Sequence, residues 1–241
     1  MHWSECFKIV CPYIVSIETS ESSGTGFLFT YNKAKTIAGF ATAAHVVAQA
    51  DDWKQPIKLI HFITKKELFV TDADRVIFLD RSRDSASIML FSNFDIGLPP
   101  DTLPLIGAKE ILPIGEEVGW LGFPSIALSN LCLFTGRISA RLDDYDSYFI
   151  DGVAINGVSG GPVLHIQPDI FSPKIIGTVT AYMPNRIHGA TLPGLLRVQD
   201  VTLFHNTIDT IKDIDEAREK KSEQSEQLDK EASQASTASD D

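Results

Sequence analysis

Residues 156–164 read Asn156-Gly157-Val158-Ser159-Gly160-Gly161-Pro162-Val163-Leu164. A serine stands among three glycines, and an apolar run follows. Glycine lets the backbone take positive φ and approach a bound group closely. A bend of that kind aims successive backbone N–H groups at one point, the arrangement a developing oxyanion needs. The same residues also build a tight turn between two strands, because Gly and Asn are favoured there for conformational reasons alone. What separates the two readings is whether a histidine and an acid stand upstream in suitable surroundings.

Upstream, His45 sits in Thr42-Ala43-Ala44-His45-Val46-Val47. Small residues before it permit close packing, and the two valines offer a face to a core. A histidine so placed reads either as a satisfied core residue or as a general base with a pKa near its ordinary value of about 6.5. Asp84 lies in Arg83-Asp84-Ser85-Ala86-Ser87-Ile88-Met89-Leu90, where Ala86, Ile88 and Leu90 alternate as a strand does. An aspartate at a strand entry is either a turn residue or a carboxylate held by backbone N–H groups. Asp80 is the nearest rival and lacks an alternating strand directly behind it. Together the three supply nucleophile, base and orienting acid, since a serine hydroxyl needs a base and the base needs a partner that fixes its tautomer. The chain order His45–Asp84–Ser159 is that of β-barrel proteases, not of subtilisin-type or α/β-hydrolase enzymes.

The bulk of the sequence fits such a body. Its 241 residues suit one large all-β domain or two small ones. Apolar residues make up 44% and charged ones 22%, as in an ordinary globular protein. A net charge of −11 argues against partnership with nucleic acid or an anionic membrane. Cys6, Cys11 and Cys132 form no disulfide framework and no Cys/His ligand spacing, so neither a metal nor another cofactor is expected. The first residues lack a basic segment followed by a long apolar run, and no uncharged apolar stretch reaches the roughly 20 residues that span a bilayer. The expected location is cytoplasmic.

Along the chain, residues 8–18 suggest a strand interrupted by Pro12, and strand character resumes at 26–31 after a polar turn. Further strand candidates fall at 57–63, 67–71, 75–79, 86–91, 117–121, 131–140, 147–150, 162–166, 175–181 and 190–192. Many short apolar runs with Gly, Pro, Asn and Asp between them predict a sandwich or barrel. Helical spacing is convincing only over 200–219, where Phe204, Ile208, Ile211 and, less regularly, Ile214 fall on one face. Beyond 221 the composition predicts a disordered acidic tail over 222–241. Residues 212–241 hold ten acidic and five basic side chains, hence −5 of the −11, so the remainder is only mildly acidic.

Ser23-Gly-Thr-Gly-Phe-Leu-Phe, Thr42-Ala-Ala-His-Val-Val, Asp84-Ser-Ala-Ser-Ile and Gly157-Val-Ser-Gly-Gly-Pro-Val together resemble the trypsin-like, chymotrypsin-fold serine proteases. Gly189-Ala-Thr-Leu-Pro193 adds a likeness to the bacterial heat-shock (high-temperature-requirement) branch. The resemblance covers about residues 8–215. It implies an all-β protein of two six-stranded antiparallel barrels, one over about 8–92 and one over about 114–199, meeting near 93–113. A C-terminal helix follows, and the whole forms one protease domain over 1–221. It implies His45 and Asp84 on the first barrel, Ser159 on the second, and an oxyanion hole from the backbone N–H groups of Gly157 and Ser159. The primary specificity pocket maps near 152–157, 178–182 and 189–191, with Val153, Thr180, Tyr182 and Thr191 as substrate-binding residues. The position that is acidic in trypsin is Val153, so the expected preference is for small or medium apolar side chains before the scissile bond of a protein or peptide substrate. Ile9-Val10 is not an Ile-Val-Gly-Gly neo-N-terminus, Ser85 replaces the usual apolar residue after the acid, and no length remains for an appended peptide-binding module. His165 falls off the pocket strand and reads as structural or exposed. The alternatives are a catalytically silent protease fold that serves as a binding or regulatory module, and a protein whose acidic tail recruits a partner.

Overall fold

A computed structural model describes residues 1–91, 95–127, 129–153, 155–167, 172–187 and 190–237; the side chains of 182, 184–187, 190–193, 223 and 225–237 lie outside the described set. Gly189 of the Gly-Ala-Thr-Leu-Pro segment and part of the expected junction near 93 also fall outside it.

Among the described residues, thirteen strands and three α-helices follow one another. The chain opens not with a strand but with α1, Trp3–Val10, followed by a short 3-10 turn, Cys11–Tyr13, and only then by β1, Ile14–Glu18. Cys6 and Val10 are buried, and Trp3, Cys6, Phe7 and Val10 share the i, i+3, i+4, i+7 spacing of one helical face. That periodicity outweighs the β-branched run at 9–10, and Pro12 fits the first turn of the 3-10 segment, where no N–H is required.

The first sheet comprises β1, β2 (Ser23–Tyr31), β3 (Ala38–Thr42), β4 (Ile57–His61), β5 (Glu67–Val70), β6 (Arg75–Asp80) and β7 (Ser85–Leu90). Its order is β5-β4-β1-β2-β3-β7-β6, so it has seven strands rather than six, and no pairing joins the edges β5 and β6. The buried Arg75 guanidinium spans the gap instead. It donates to Val70 O at 2.9 Å, Ala50 O at 3.1 Å and Gln55 O at 2.8 Å. Carbonyls at a strand end need donors, and one planar guanidinium reaches several at once. Between β3 and β4 lies α2, Ala44–Asp52, whose Val46, Val47 and Ala50 enter the core of this sheet.

The second unit is a closed six-stranded barrel, as expected. Its order is β10 (Ser147–Asp151), β13 (Ala190–Asp200), β12 (Lys174–Ile187), β11 (Pro162–His165), β8 (Glu117–Gly122), β9 (Cys132–Leu142). Inward residues such as Trp120, Ile138, Tyr148, Ile150, Val163, Val179, Leu196 and Val198 make its core.

Helix α3 runs Thr202–Thr237, well past the expected end at 219. Phe204 and Ile211 are buried, whereas Ile214 is 42% exposed and marks where the apolar face leaves the body. Phe204 packs edge-on against Phe27 at 6.0 Å and against Phe29 at 5.1 Å, so the helix fastens onto the first sheet. Asp215 pins the next turn by accepting from Lys33 N–H at 2.8 Å and Asn32 Nδ2 at 3.3 Å.

Phe204→Ala should therefore cost about 3–5 kcal/mol, as large-to-small changes in packed cores do, while Ile214→Ala should cost less than about 1 kcal/mol. Urea unfolding of the two variants checks the contrast.

Candidate active site

Three segments converge where the first sheet meets the second barrel. His45 is the second residue of α2, and its position follows from how that helix begins. The residue before Ala44 is Ala43, which has no side-chain acceptor for the free N–H groups of the first turn. Asp84 supplies the missing acceptor from a distant part of the chain. Its Oδ1 accepts from His45 N–H at 2.9 Å, and its carbonyl accepts from Ala44 N–H at 3.2 Å. Its Oδ2 lies 2.8 Å from His45 Nδ1. A carboxylate only accepts, so the neutral imidazole carries its proton on Nδ1 and keeps a lone pair on Nε2. The ring stays accessible, with 47% of the His45 side chain exposed.

Asp84 holds this position in a left-handed backbone conformation, φ +53°. Asp tolerates that region better than most residues, and the turn before it is firmly built. Asp80 Oδ1 accepts from Ser82 N–H at 3.1 Å, Ser82 Oγ at 2.6 Å and Arg83 N–H at 3.0 Å. Burial alone would raise the Asp80 pKa, but these hydrogen bonds and the Arg83 charge outweigh it and hold the carboxyl below its usual range. Asp80 is thus the frame of the turn, and Asp84 the group presented by it. From the second barrel, Asp146 Oδ2 accepts from Arg83 Nη2 at 2.9 Å.

Ser159 arrives on the loop between β10 and β11. Its carbonyl accepts from Thr25 N–H at 2.8 Å, and the next residue's N–H donates to Val179 O at 2.7 Å. Gly160, at φ +86°, passes so close that a Cβ there would collide with Thr25 O and the Thr42 hydroxyl. A Cβ on Gly24 would lie 2.6 Å from Val46 Cγ2 and 2.9 Å from Ser159 O. The serine loop is therefore packed directly onto the turn that carries His45. Among the described residues no hydrogen bond joins Ser159 Oγ to His45.

The Asn156–Gly157 peptide has its carbonyl turned to Ser125, whose N–H donates to it at 2.8 Å. In a trans peptide the N–H of Gly157 then points to the opposite side. Gly157 sits at φ +91°. Among the described residues neither the Gly157 N–H nor the Ser159 N–H has an acceptor. Two unused donors beside a serine are what an incoming oxyanion requires.

The expected pocket residues do not gather so clearly. Val153 is 57% exposed on the lip of a cleft of about 540 Å³ that is also lined by Trp120, Phe134, Arg137 and Asp151. Neither Ser159 nor Thr180 lines that cleft. Thr180 is buried, and its hydroxyl donates to Arg197 O at 3.4 Å. Tyr182 and Thr191 lie on β12 and β13, with side chains outside the described set. His165 is buried beside Glu116, 3.4 Å away. Thr25, Ser125 and Asn156 carry no sequence signal of their own, because their contributions come from backbone geometry and long-range contacts, while Asp80, the rival for the acid, instead builds the turn that presents Asp84. Among the described residues no cluster of His, Cys, Asp and Glu is suited to a metal ion.

The family model of the trypsin-like peptidase domain matches residues 24–169, more than half of the chain and inclusive of all three converging segments. The chain belongs to the trypsin-like peptidase family. The Rv3671c protease of M. tuberculosis H37Rv, in an inactive form, shares 21% identity with this peptidase at a TM-score of 0.60, over 86% of this chain and 92% of that one. The serine endoprotease from Yersinia pestis shares 14% identity at a TM-score of 0.63, over 88% of this chain and 67% of that one. At such identities the likeness is one of fold: paired β units with a C-terminal helix. No curated protein matches the sequence.

Gly160→Ala in this trypsin-like peptidase should destabilise by roughly 2–4 kcal/mol, combining left-handed strain of about 1–2 kcal/mol with the backbone collision. Gly115→Ala has the same strain, at φ +96°, with nothing within 4 Å of the added carbon. Its loss should stay near about 1–2 kcal/mol. Thermal unfolding of the pair isolates the close approach at Ser159.

Proposed function

We propose that the protein is a serine endopeptidase that cleaves peptide bonds through an acyl-enzyme formed on Ser159. The observation that carries this reading is the two-point grip of Asp84 on His45, 2.9 Å at the backbone and 2.8 Å at Nδ1, beside a serine loop with two idle N–H donors. Ser159 Oγ attacks the substrate carbonyl while His45 Nε2 takes its proton. Asp84 keeps the ring oriented and stabilises the imidazolium that forms. The oxyanion develops against the N–H groups of Gly157 and Ser159. His45 then passes the proton to the leaving amine, and the same base activates a water molecule that releases the acyl group.

The substrate is a protein or peptide, with a preference for small or medium apolar side chains before the scissile bond. That preference rests on the resemblance, which matches Val153 to the position that is acidic in trypsin. Discrimination between neighbouring apolar side chains is modest, because one methylene is worth only about 1–3 kcal/mol. The reading extends to a reducing, cytoplasmic setting, which the three free cysteines support.

A catalytically silent fold is the competing reading, favoured by the missing hydrogen bond between Ser159 and His45. Such bonds are often long in unliganded proteases and tighten only when substrate arrives, so the grip of Asp84 weighs more. A fluorophosphonate probe decides between them. The wild type should gain one adduct that maps to Ser159, and Ser159→Ala should gain none. Asp84→Asn, which disfavours the required tautomer, should slow labelling by about 10⁴-fold with little change in thermal stability. An unlabelled wild type would establish the silent fold.

A further inference from the structure

We propose that the Thr25 hydroxyl is a positioning residue for the oxyanion site, setting the peptide planes around Gly157 from the first sheet. The proposal rests on the serine-peptidase reading above and adds a residue to it.

Thr25 lies on β2 with no exposed surface. Its Oγ1 donates to Gly157 O at 2.8 Å and accepts from Phe123 N–H at 3.0 Å. Its N–H donates to Ser159 O at 2.8 Å, and its carbonyl accepts from the Thr42 hydroxyl at 2.8 Å. The hydroxyl proton and one lone pair are both engaged, which fixes its orientation. Gly157 is the residue best able to rotate, because it lacks a Cβ. Its N–H direction depends on the two peptides that flank it. Ser125 holds the first by its carbonyl, and Thr25 holds the second by its carbonyl. Thr25 also ties down Phe123, two residues before the Ser125 anchor. Glycine alone would let this segment turn its N–H away from the reacting oxygen. The threonine makes the productive orientation the resting one.

Valine at this position has nearly the same shape but removes both side-chain bonds, leaving the Phe123 N–H and Gly157 O without partners. Serine keeps both bonds, and cysteine keeps a weaker donor. The readout is the second-order rate of fluorophosphonate labelling at Ser159, normalised to folded protein by circular dichroism and measured well below each melting temperature. Removing one oxyanion donor outright costs about 10²–10³-fold, so misdirecting one should slow Thr25→Val by about 10- to 100-fold. Thr25→Ser should stay within about threefold of wild type, and Thr25→Cys should fall between, which keeps the comparison decisive where the valine variant does not fold. Equal rates across the variants, or a serine variant slowed as much as the cysteine or valine variant, would overturn the proposal, because packing and not the hydroxyl would then be responsible. A wild type that is not labelled at Ser159 would overturn the underlying reading of the site and this proposal with it.

Discussion

The contact on which the rest of the site depends is the one between Thr25 and the serine loop. Four hydrogen bonds leave this one buried residue, and three of them reach segments 98 or more positions away in sequence. They join β2 of the first sheet to the Phe123 loop, to Gly157 and to Ser159 of the second barrel. Each is worth only about 0.5–1.5 kcal/mol net, but breaking one leaves a buried group unsatisfied at about 1–3 kcal/mol. The arrangement is therefore steep on the side of disruption. It specifies position more than it adds stability, as a fully satisfied buried polar network does. Gly24 and Gly160 complete the contact by leaving no room between the loop and the turn bearing His45.

A second constraint acts on the acid. Asp84 serves as the missing cap of α2 and as the orienting partner of the imidazole, with one carboxylate oxygen for each task. A helix N-terminus favours a negative charge, which adds typically 0.3–1 kcal/mol. Its left-handed backbone is offset by Asp80, whose Oδ1 gathers three hydrogen bonds from the turn. The Arg83–Asp146 pair crosses to the second barrel but is partly exposed, and such pairs contribute at most about 1 kcal/mol. Geometry at Asp84 is thus set by hydrogen bonds within its own turn, with the ion pair as a lateral tie.

Much of this was legible in the sequence, and the limits have physical causes. That His45 and Asp84 would meet beside the Ser159 loop was readable because nucleophile chemistry calls for particular residue types in a particular order. The strands from 57 onward were readable from alternation and turn residues. The opening helix and α2 were not, because each has fewer than ten residues and carries a β-branched pair, Ile9-Val10 and Val46-Val47, that suits a strand equally well. The open edge of the first sheet, where the Arg75 guanidinium meets the Val70, Ala50 and Gln55 carbonyls, is made by contacts between elements that no local pattern announces. Thr25 lay inside a recognised motif yet went unremarked, since its significance is entirely long-range. The end of α3 was not legible, because apolar spacing reports only the packed part of a helix, and among the described side chains after Ile214 none is buried.

The central claim is that the Gly157 and Ser159 donors are already in place before substrate arrives. The structure of the covalent adduct between Ser159 and a peptide aldehyde or phosphonate tests it most directly. The account predicts an adduct oxygen about 2.7–3.1 Å from both N–H groups, with the Thr25 to Gly157 and Ser125 to Asn156 hydrogen bonds unchanged from the free protein. An adduct whose oxygen is met only after the Asn156–Gly157 peptide has flipped, or whose oxygen lies out of reach of Gly157, would contradict it.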